Sequence, residues 1–325
     1  MTVHSYIIPF SKISIHDLPK VGGKNASLGE MFNQLTSKGI NIPAGFALSA
    51  DAYRLFRKKN NIEQALNDLL QSLDRQNFTN LSLIGENARA LINKSVLPEE
   101  IKQECKKAYT VLCKQCGIDN LDVAVRSSAT AEDLPTASFA GRMESYLNIS
   151  GVEQLLDAIH RCYISLFTDR AIKYRHDMGF MDLDIAISAG VQQMVRSDKA
   201  SSGVAFTIDP DSGFKNTIVI NSIWGLGENI VQGRVTPDEW TIFKPTLKDD
   251  QYNPLLRSHC GKKEFTMVYA EKSDKNSAEK TIINQDTSEE KQKEYSLNND
   301  EVIQLAHWCL EIEAHYGKAM DFEWA

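Results

Sequence analysis

Val123-Ala124-Val125-Arg126-Ser127-Ser128-Ala129-Thr130, running on through Ala131-Glu132-Asp133-Leu134-Pro135-Thr136-Ala137-Ser138-Phe139-Ala140-Gly141 to Ile149, decides how the rest of the chain is read. Its three apolar, mostly β-branched residues read as the end of a buried strand. That places Arg126 at the strand's end and puts Ser127, Ser128, Thr130, Ser138 and Gly141 in a loop rich in hydroxyls and small residues. Backbone N–H groups, hydroxyls and one guanidinium can together spread the charge of an anion such as a polyphosphate over several oxygens. The same composition suits a solvated Ser/Thr loop that caps a short helix, with Thr130 and Asp133 at capping-box spacing. Taken alone, the residues leave both readings open.

The 325 residues can bury a sizeable core, as one large or two medium domains. A formal net charge of −7 and a pI near 5.6 argue against a polyanion as main partner, because nucleic-acid binders carry a basic footprint. A local cationic pocket remains compatible with that balance. No apolar run approaches the ~20 residues of a membrane span, and the start, MTVHSYIIPF, lacks a charged segment followed by a long apolar core. The expected location is the cytoplasm. Without a secretory context the 6 cysteines are expected as free thiols, and the lone Cys113-x-x-Cys116 lacks the second pair that a structural zinc site needs.

Along the chain, Val21-Gly22-Gly23-Lys24-Asn25 precedes a helical pattern marked by Leu28, Met31, Phe32 and Leu35. Glycines before a helix let backbone amides approach an anion, and Lys24 would add a point charge. The spacing is not that of a Walker A loop, and by itself the turn reads equally as a plain turn with a surface lysine. From Ile62 to Cys116 apolar residues recur at helical spacing and no residue looks chemical. A further amphipathic helix runs through Leu155–Phe167, where His160 and the later His176 have no partner at a diagnostic spacing. Ile185–Val195 reads as a strand entering a connector. Strands are also expected at Val204–Ile208 and Thr217–Ile220, followed by Trp224-Gly225-Leu226-Gly227-Glu228. Residues 246–296, rich in lysine and acids, read as a solvent-facing β excursion without chemistry. A last helix is expected from Asn298, boxed with Glu301, to a C-cap at Gly317. In Met320-Asp321-Phe322-Glu323-Trp324 apolar and acidic residues alternate, so on a strand Asp321 and Glu323 share one face. Two such carboxylates can hold Mg²⁺, which takes few protein oxygens and completes its shell with water and phosphate; an acidic outward face on an edge strand is the other reading.

The strings RSSATAEDLP with ASFAG, VGGKNASLGEM with IPAGF, and FTIDPDSGF…WGLGENIVQG…TPDEW together resemble the nucleotide-binding domain of the phosphoenolpyruvate synthase and pyruvate phosphate dikinase superfamily. The resemblance covers essentially the whole chain. It implies a mixed α/β (α+β) chain with an ATP-grasp-like fold: an N-terminal subdomain over 1–195 with a helical insertion at 61–118, and a C-terminal subdomain over 196–325. It also implies ATP with Mg²⁺. Lys24 and Arg126 would contact the phosphates, with Ser127, Thr130 and Gly141 in a mobile cover. Gln193, Met194 and Val195 would line the adenine pocket, Glu228 would make a nucleotide or active-site contact, and Asp321 and Glu323 would hold the metal.

The resemblance is to the first domain of a longer enzyme, whose other partners would be a phosphohistidine domain and a pyruvate-binding domain. No Thr-Cys-His occurs here, and the family continues past this point into a strand bearing Gln and Arg ligands. A piece of that enzyme is therefore expected, with one wall of the ATP site missing. Arg142 departs from the pattern, standing where many relatives have Gln. Two rivals remain: the ATP domain of a rifampicin-type antibiotic phosphotransferase, and a non-catalytic ATP-binding module.

Overall fold

The computed structural model describes residues 5–130, 144–179, 185–249, 251–270 and 282–325. The chain divides into two compact units, Met1–Met194 and Val195–Ala325. The Ser138–Gly141 part of the hydroxyl-rich stretch, Asp133 and Arg142 lie outside the described residues.

In chain order the first unit contains β1 (Ile7–Pro9), α1 (Leu18–Leu35), β2 (Gly45–Leu48), α2 (Ala50–Lys59), α3 (Glu63–Gln71), α4 (Leu81–Lys94), α5 (Glu99–Cys116), β3 (Val123–Ala129), β4 (Ser145–Ile149), α6 (Val152–Ser165), α7 (Asp169–Asp177) and β5 (Ile187–Gln193). The strands form one sheet in the order β1-β2-β5-β3-β4, and every neighbouring pair is antiparallel. The larger core joins Val123, Val125, Ala189 and Val191 to Tyr53, Phe56, Ile101, Leu112, Leu155, Ile159 and Tyr163 of the helices. Because side chains alternate along a strand, that leaves Ala124, Arg126 and Ser128 of β3 on the opposite face. There α1 packs, with Val21 and Ala26 against Phe10, Ile13 and Ala47. The sheet is thus sandwiched between α1 and a helical layer.

One expectation for this unit needs correction. β3 does not end at Val125: each residue from Val123 to Ala129 pairs with β5, down to Ala129 opposite Ile187, so Arg126, Ser127 and Ser128 are strand residues. The polar run misleads because pairing with β5 satisfies the strand backbone along that edge whatever the side chains are. The helices expected over Ile62–Cys116 are α3, α4 and α5, and α2, whose Tyr53 and Phe56 are buried, precedes them. His160 is structural, its Nε2 lying 2.8 Å from the Ile92 carbonyl oxygen. All six cysteines are free thiols.

The second unit contains β6 (Ser201–Phe206), β7 (Thr217–Trp224), α8 (Glu228–Val231), β8 (Asp238–Phe243), β9 (Leu255–His259), β10 (Phe265–Tyr269), β11 (Ile282–Asp286), α9 (Glu289–Lys293), α10 (Asn299–Tyr316) and β12 (Asp321–Trp324). Its main sheet runs β12-β6-β7-β8-β9, again antiparallel throughout. Ile218, Ile220, Trp240 and Ile242 on one face pack against Val302, Leu305, Ala306 and Cys309 of α10. The capping box is formed: Glu301 N–H donates to Asn298 Oδ1 at 3.0 Å and Asn298 N–H to Glu301 Oε2 at 2.8 Å. Gly317 closes the helix in the left-handed region at φ 65°. Thr207 fixes the start of β12 by donating N–H to the Met320 carbonyl and accepting Met320 N–H at Oγ1, both at 2.8 Å.

The stretch 246–296 is not a purely solvent-facing excursion. Lys263 and Asp238 are both fully buried and paired. Asp238 Oδ1 accepts from Lys263 Nζ and from Gly261 N–H (2.9 Å), while Oδ2 accepts from Ser296 N–H and Oγ, each at 2.7 Å. A buried charge persists when it is paired and its remaining lone pairs are filled, as here.

Candidate functional site

In the first unit the two candidate cations come from α1 and β3. The helical backbone of α1 is broken at Gly22, with φ 75° and ψ 166°. This is a conformation that only glycine adopts readily. A Cβ at Gly22 would overlap Ser128 Oγ and stand 2.7 Å from the Ser128 carbonyl oxygen. The glycine turn therefore lies flat on β3 beside Ser128, two residues from Arg126 and on Arg126's face of the sheet. Asn25 continues the contact: its Nδ2 donates to Val21 O and to Ser188 Oγ, each at 3.0 Å, and Ser188 pairs with Ser128 across β5 and β3. Lys24 stands between Gly22 and Asn25, so the turn that carries it and the strand that carries Arg126 are packed together. Both side chains are partly exposed.

Ser127 and Thr130 are placed differently from the expectation. Ser127 points to the helical face, away from Arg126, and its Oγ donates to the Glu144 carbonyl at 3.1 Å. Thr130 Oγ1 and N–H both bond the Ala186 backbone, at 3.2 and 3.0 Å. Their hydroxyls hold the strand ends together. Ser128, one of the hydroxyls of the expected loop but given no contact of its own, is the hydroxyl at the glycine turn: it is fully buried, and its Oγ has no hydrogen-bond partner among the described residues. Only its position one residue past Ser127, in strand alternation with Arg126, could have marked it. Gly141 lies outside the described residues.

At the end of β5, Gln193 N–H donates to the Ala44 carbonyl (2.9 Å) and Met194 N–H to the Asp122 carbonyl (3.0 Å). Those two backbone donors are already used by the fold. Gln193 Oε1 accepts from the Cys116 thiol at 3.4 Å. Burial pushes that thiol's pKa up, with the neighbouring Cys113 adding to the effect. Val195 is exposed and opens the second unit.

In the second unit Glu228 is the first residue of α8 and accepts from Gln232 Nε2 one turn on. Asp321 and Glu323 are both exposed on β12, opposite Phe206 and Val204 of β6, while Phe322 and Trp324 pack toward the α10 core. The alternation read from the sequence is thus realised at a sheet edge. Farther along the same face, Asn221 Nδ2 lies 3.5 Å from Glu239 Oε2. Among the described residues no three His, Cys, Asp or Glu side chains gather as a metal cage. Two exposed carboxylates one pleat apart fit a hard cation that shares its shell with water and phosphate, and do not fit a closed structural site. No helix among the described residues is long and apolar enough to cross a membrane.

Residues 18–325 match the family model described as the pyruvate phosphate dikinase, AMP/ATP-binding domain. The phosphoenolpyruvate synthase of Synechocystis sp. is 46% identical, over 98% of this chain and 40% of its own length. The proteins of the same name from Neisseria meningitidis serogroup B and Escherichia coli K12 are 44% and 42% identical, again over 98% of this chain and 40% of theirs. The chain therefore spans about 40% of the length of these relatives.

Proposed function

We propose a function that proceeds from one fact: the chain belongs to the pyruvate phosphate dikinase AMP/ATP-binding domain family. It binds ATP as the nucleotide-handling part of a phosphoenolpyruvate synthase. The whole enzyme would convert ATP, water and pyruvate to phosphoenolpyruvate, AMP and phosphate through a histidine carried on another domain. The names of the relatives favour pyruvate as acceptor over an antibiotic. In this reading the two units are the halves of an ATP-grasp fold in the cytoplasm.

Lys24 and Arg126 neutralise the polyphosphate. Glu228 orients the nucleotide. Gln193, Met194 and Val195 border the base; with the Gln193 and Met194 N–H groups committed to the fold, a backbone donor to the purine edge would come from Val195. Asp321 and Glu323 would hold Mg²⁺, which supplies charge neutralisation of the phosphates when bound. The protein's contribution is positioning and preorganised charge, as phosphoryl transfer requires. The observation that carries the reading is the packing of the Gly22 turn on Ser128, which brings Lys24's turn to Arg126's face of the sheet.

Charge-assisted hydrogen bonds to phosphate contribute about 1.5–3 kcal/mol each. Lys24→Ala and Arg126→Ala are therefore each expected to weaken Mg·ATP binding by about tenfold or more, measured by titration calorimetry, with circular dichroism unchanged. Wild-type affinity in both variants would reduce the two side chains to surface charges and end this reading.

A further inference from the structure

Residues 261–270 and 282–296 are tied to the main sheet at one side chain. Gly261 and Lys263 bond Asp238 Oδ1 where the excursion begins, and Ser296 bonds Oδ2 where it ends. Between these anchors, three successive elements reach the segment Trp224–Asn229. From β10, the Met267 carbonyl accepts Leu226 N–H at 2.9 Å, and Met267 bridges Gly225. Gly225 has φ 83°, and a Cβ there would overlap the Met267 carbonyl. From β11, Asn284 Oδ1 accepts Nδ2 of the fully buried Asn229 at 2.8 Å. From α9, the Lys291 carbonyl accepts Trp224 Nε1–H at 3.0 Å. Ser202 Oγ closes the ring from β6, donating to the Gly225 carbonyl at 2.6 Å. Glu228 sits inside this grip, between Leu226 and Asn229, and makes none of these bonds itself.

We infer that β10, β11 and α9 together are the positioning device of the Glu228 turn, with Asn284 as its distal positioning residue. This rests on the reading of Glu228 as a nucleotide contact. A loop that must place one carboxylate beside a ligand gains from being fixed before the ligand arrives, because the ordering cost is then already met by the fold. The grip falls on the residues on either side of Glu228 and not on its carboxylate, which accepts from Gln232 Nε2 alone among the hydrogen bonds described.

The test uses the intact chain in four forms: wild type, Asn284→Ala, Asn284→Asp and Glu228→Gln. Mg·ATP affinity is measured by calorimetry, and amide hydrogen exchange is followed over residues 225–231. Asn284 is exposed, so water can replace its carbonyl and the melting temperature is expected to stay at the wild-type value in Asn284→Ala. Affinity and loop protection in that variant are expected to fall together by about fivefold, the equivalent of one neutral hydrogen bond. Asn284→Asp keeps an acceptor oxygen and is expected to restore both. Glu228→Gln is expected to lower affinity with loop protection unchanged. Wild-type affinity and protection in Asn284→Ala, alongside a weakened Glu228→Gln, would overturn the positioning role alone. Equal losses in both Asn284 variants with a lowered melting temperature would also overturn it, marking the contact as structural only. Wild-type binding by Glu228→Gln would remove the nucleotide reading of Glu228 and the inference with it.

Discussion

Asp238→Asn is expected to lower the unfolding free energy of residues 195–325 by about 3–5 kcal/mol. The change removes one oxygen and one charge, yet the loss is large because Lys263 has no exposed surface. The ammonium would remain in the interior without its counter-charge, and the introduced amide could serve Ser296 or Gly261 but not balance the lysine. Adding Lys263→Met to Asp238→Asn is expected to recover more than half of the loss, since an apolar stem of similar length no longer carries a charge to desolvate. All 4 tryptophans, Trp224, Trp240, Trp308 and Trp324, lie in this unit. Urea unfolding followed by tryptophan fluorescence therefore reports on it directly. A single variant with the wild-type midpoint would show that the pair is not the buried anchor described above.

Gly22→Ala is expected to cost about 2–6 kcal/mol and to abolish measurable nucleotide binding, as the sum of a backbone and a packing effect. Backbone at φ 75° and ψ 166° is open to glycine and costs an L-residue about 1–3 kcal/mol. The new methyl would also overlap Ser128, where the neighbouring atoms include strand backbone that cannot rotate away, an overpacking cost of about 1–3 kcal/mol. Gly39→Ala is the control. Gly39 also has a positive φ, 82°, but nothing lies within 4 Å of its Cβ position, so only the backbone cost of about 1–2 kcal/mol is expected. Circular dichroism during urea unfolding measures both variants. Equal losses in the two would mean that the turn is not pressed onto β3.

Much of this was legible in the chain because it rests on local rules. The alternation Met320–Trp324, the Asn298–Glu301 box and the Gly317 cap each depend on neighbours within a few residues, and each is formed. Gly22-Gly23 signalled a break before a helix, and the break is there. What stayed hidden depends on distant partners. Nothing around Arg126-Ser127-Ser128 says that β5 will pair with it as far as Ala129, so polar strand residues read as loop. Which serine faces Arg126's side follows only once the strand is known to continue, and that exchanges Ser127 for Ser128 at the glycine turn. Lys263 lies in the run Gly261-Lys262-Lys263-Glu264, which looks solvated; its burial follows from Asp238, 25 residues earlier in the chain. The family resemblance is borne out over residues 18–325.

In the proposed function Lys24 and Arg126 meet the phosphates of a magnesium nucleotide, and Asp321 and Glu323 hold its metal. A crystal structure of the chain with Mg²⁺ and a non-hydrolysable ATP analogue tests it most directly. The expected result is a single nucleotide with Lys24 and Arg126 on its phosphates and with Asp321 or Glu323 bound to the metal. A nucleotide whose phosphates lie away from the Gly22 turn, or whose metal lies away from both Asp321 and Glu323, would contradict the account.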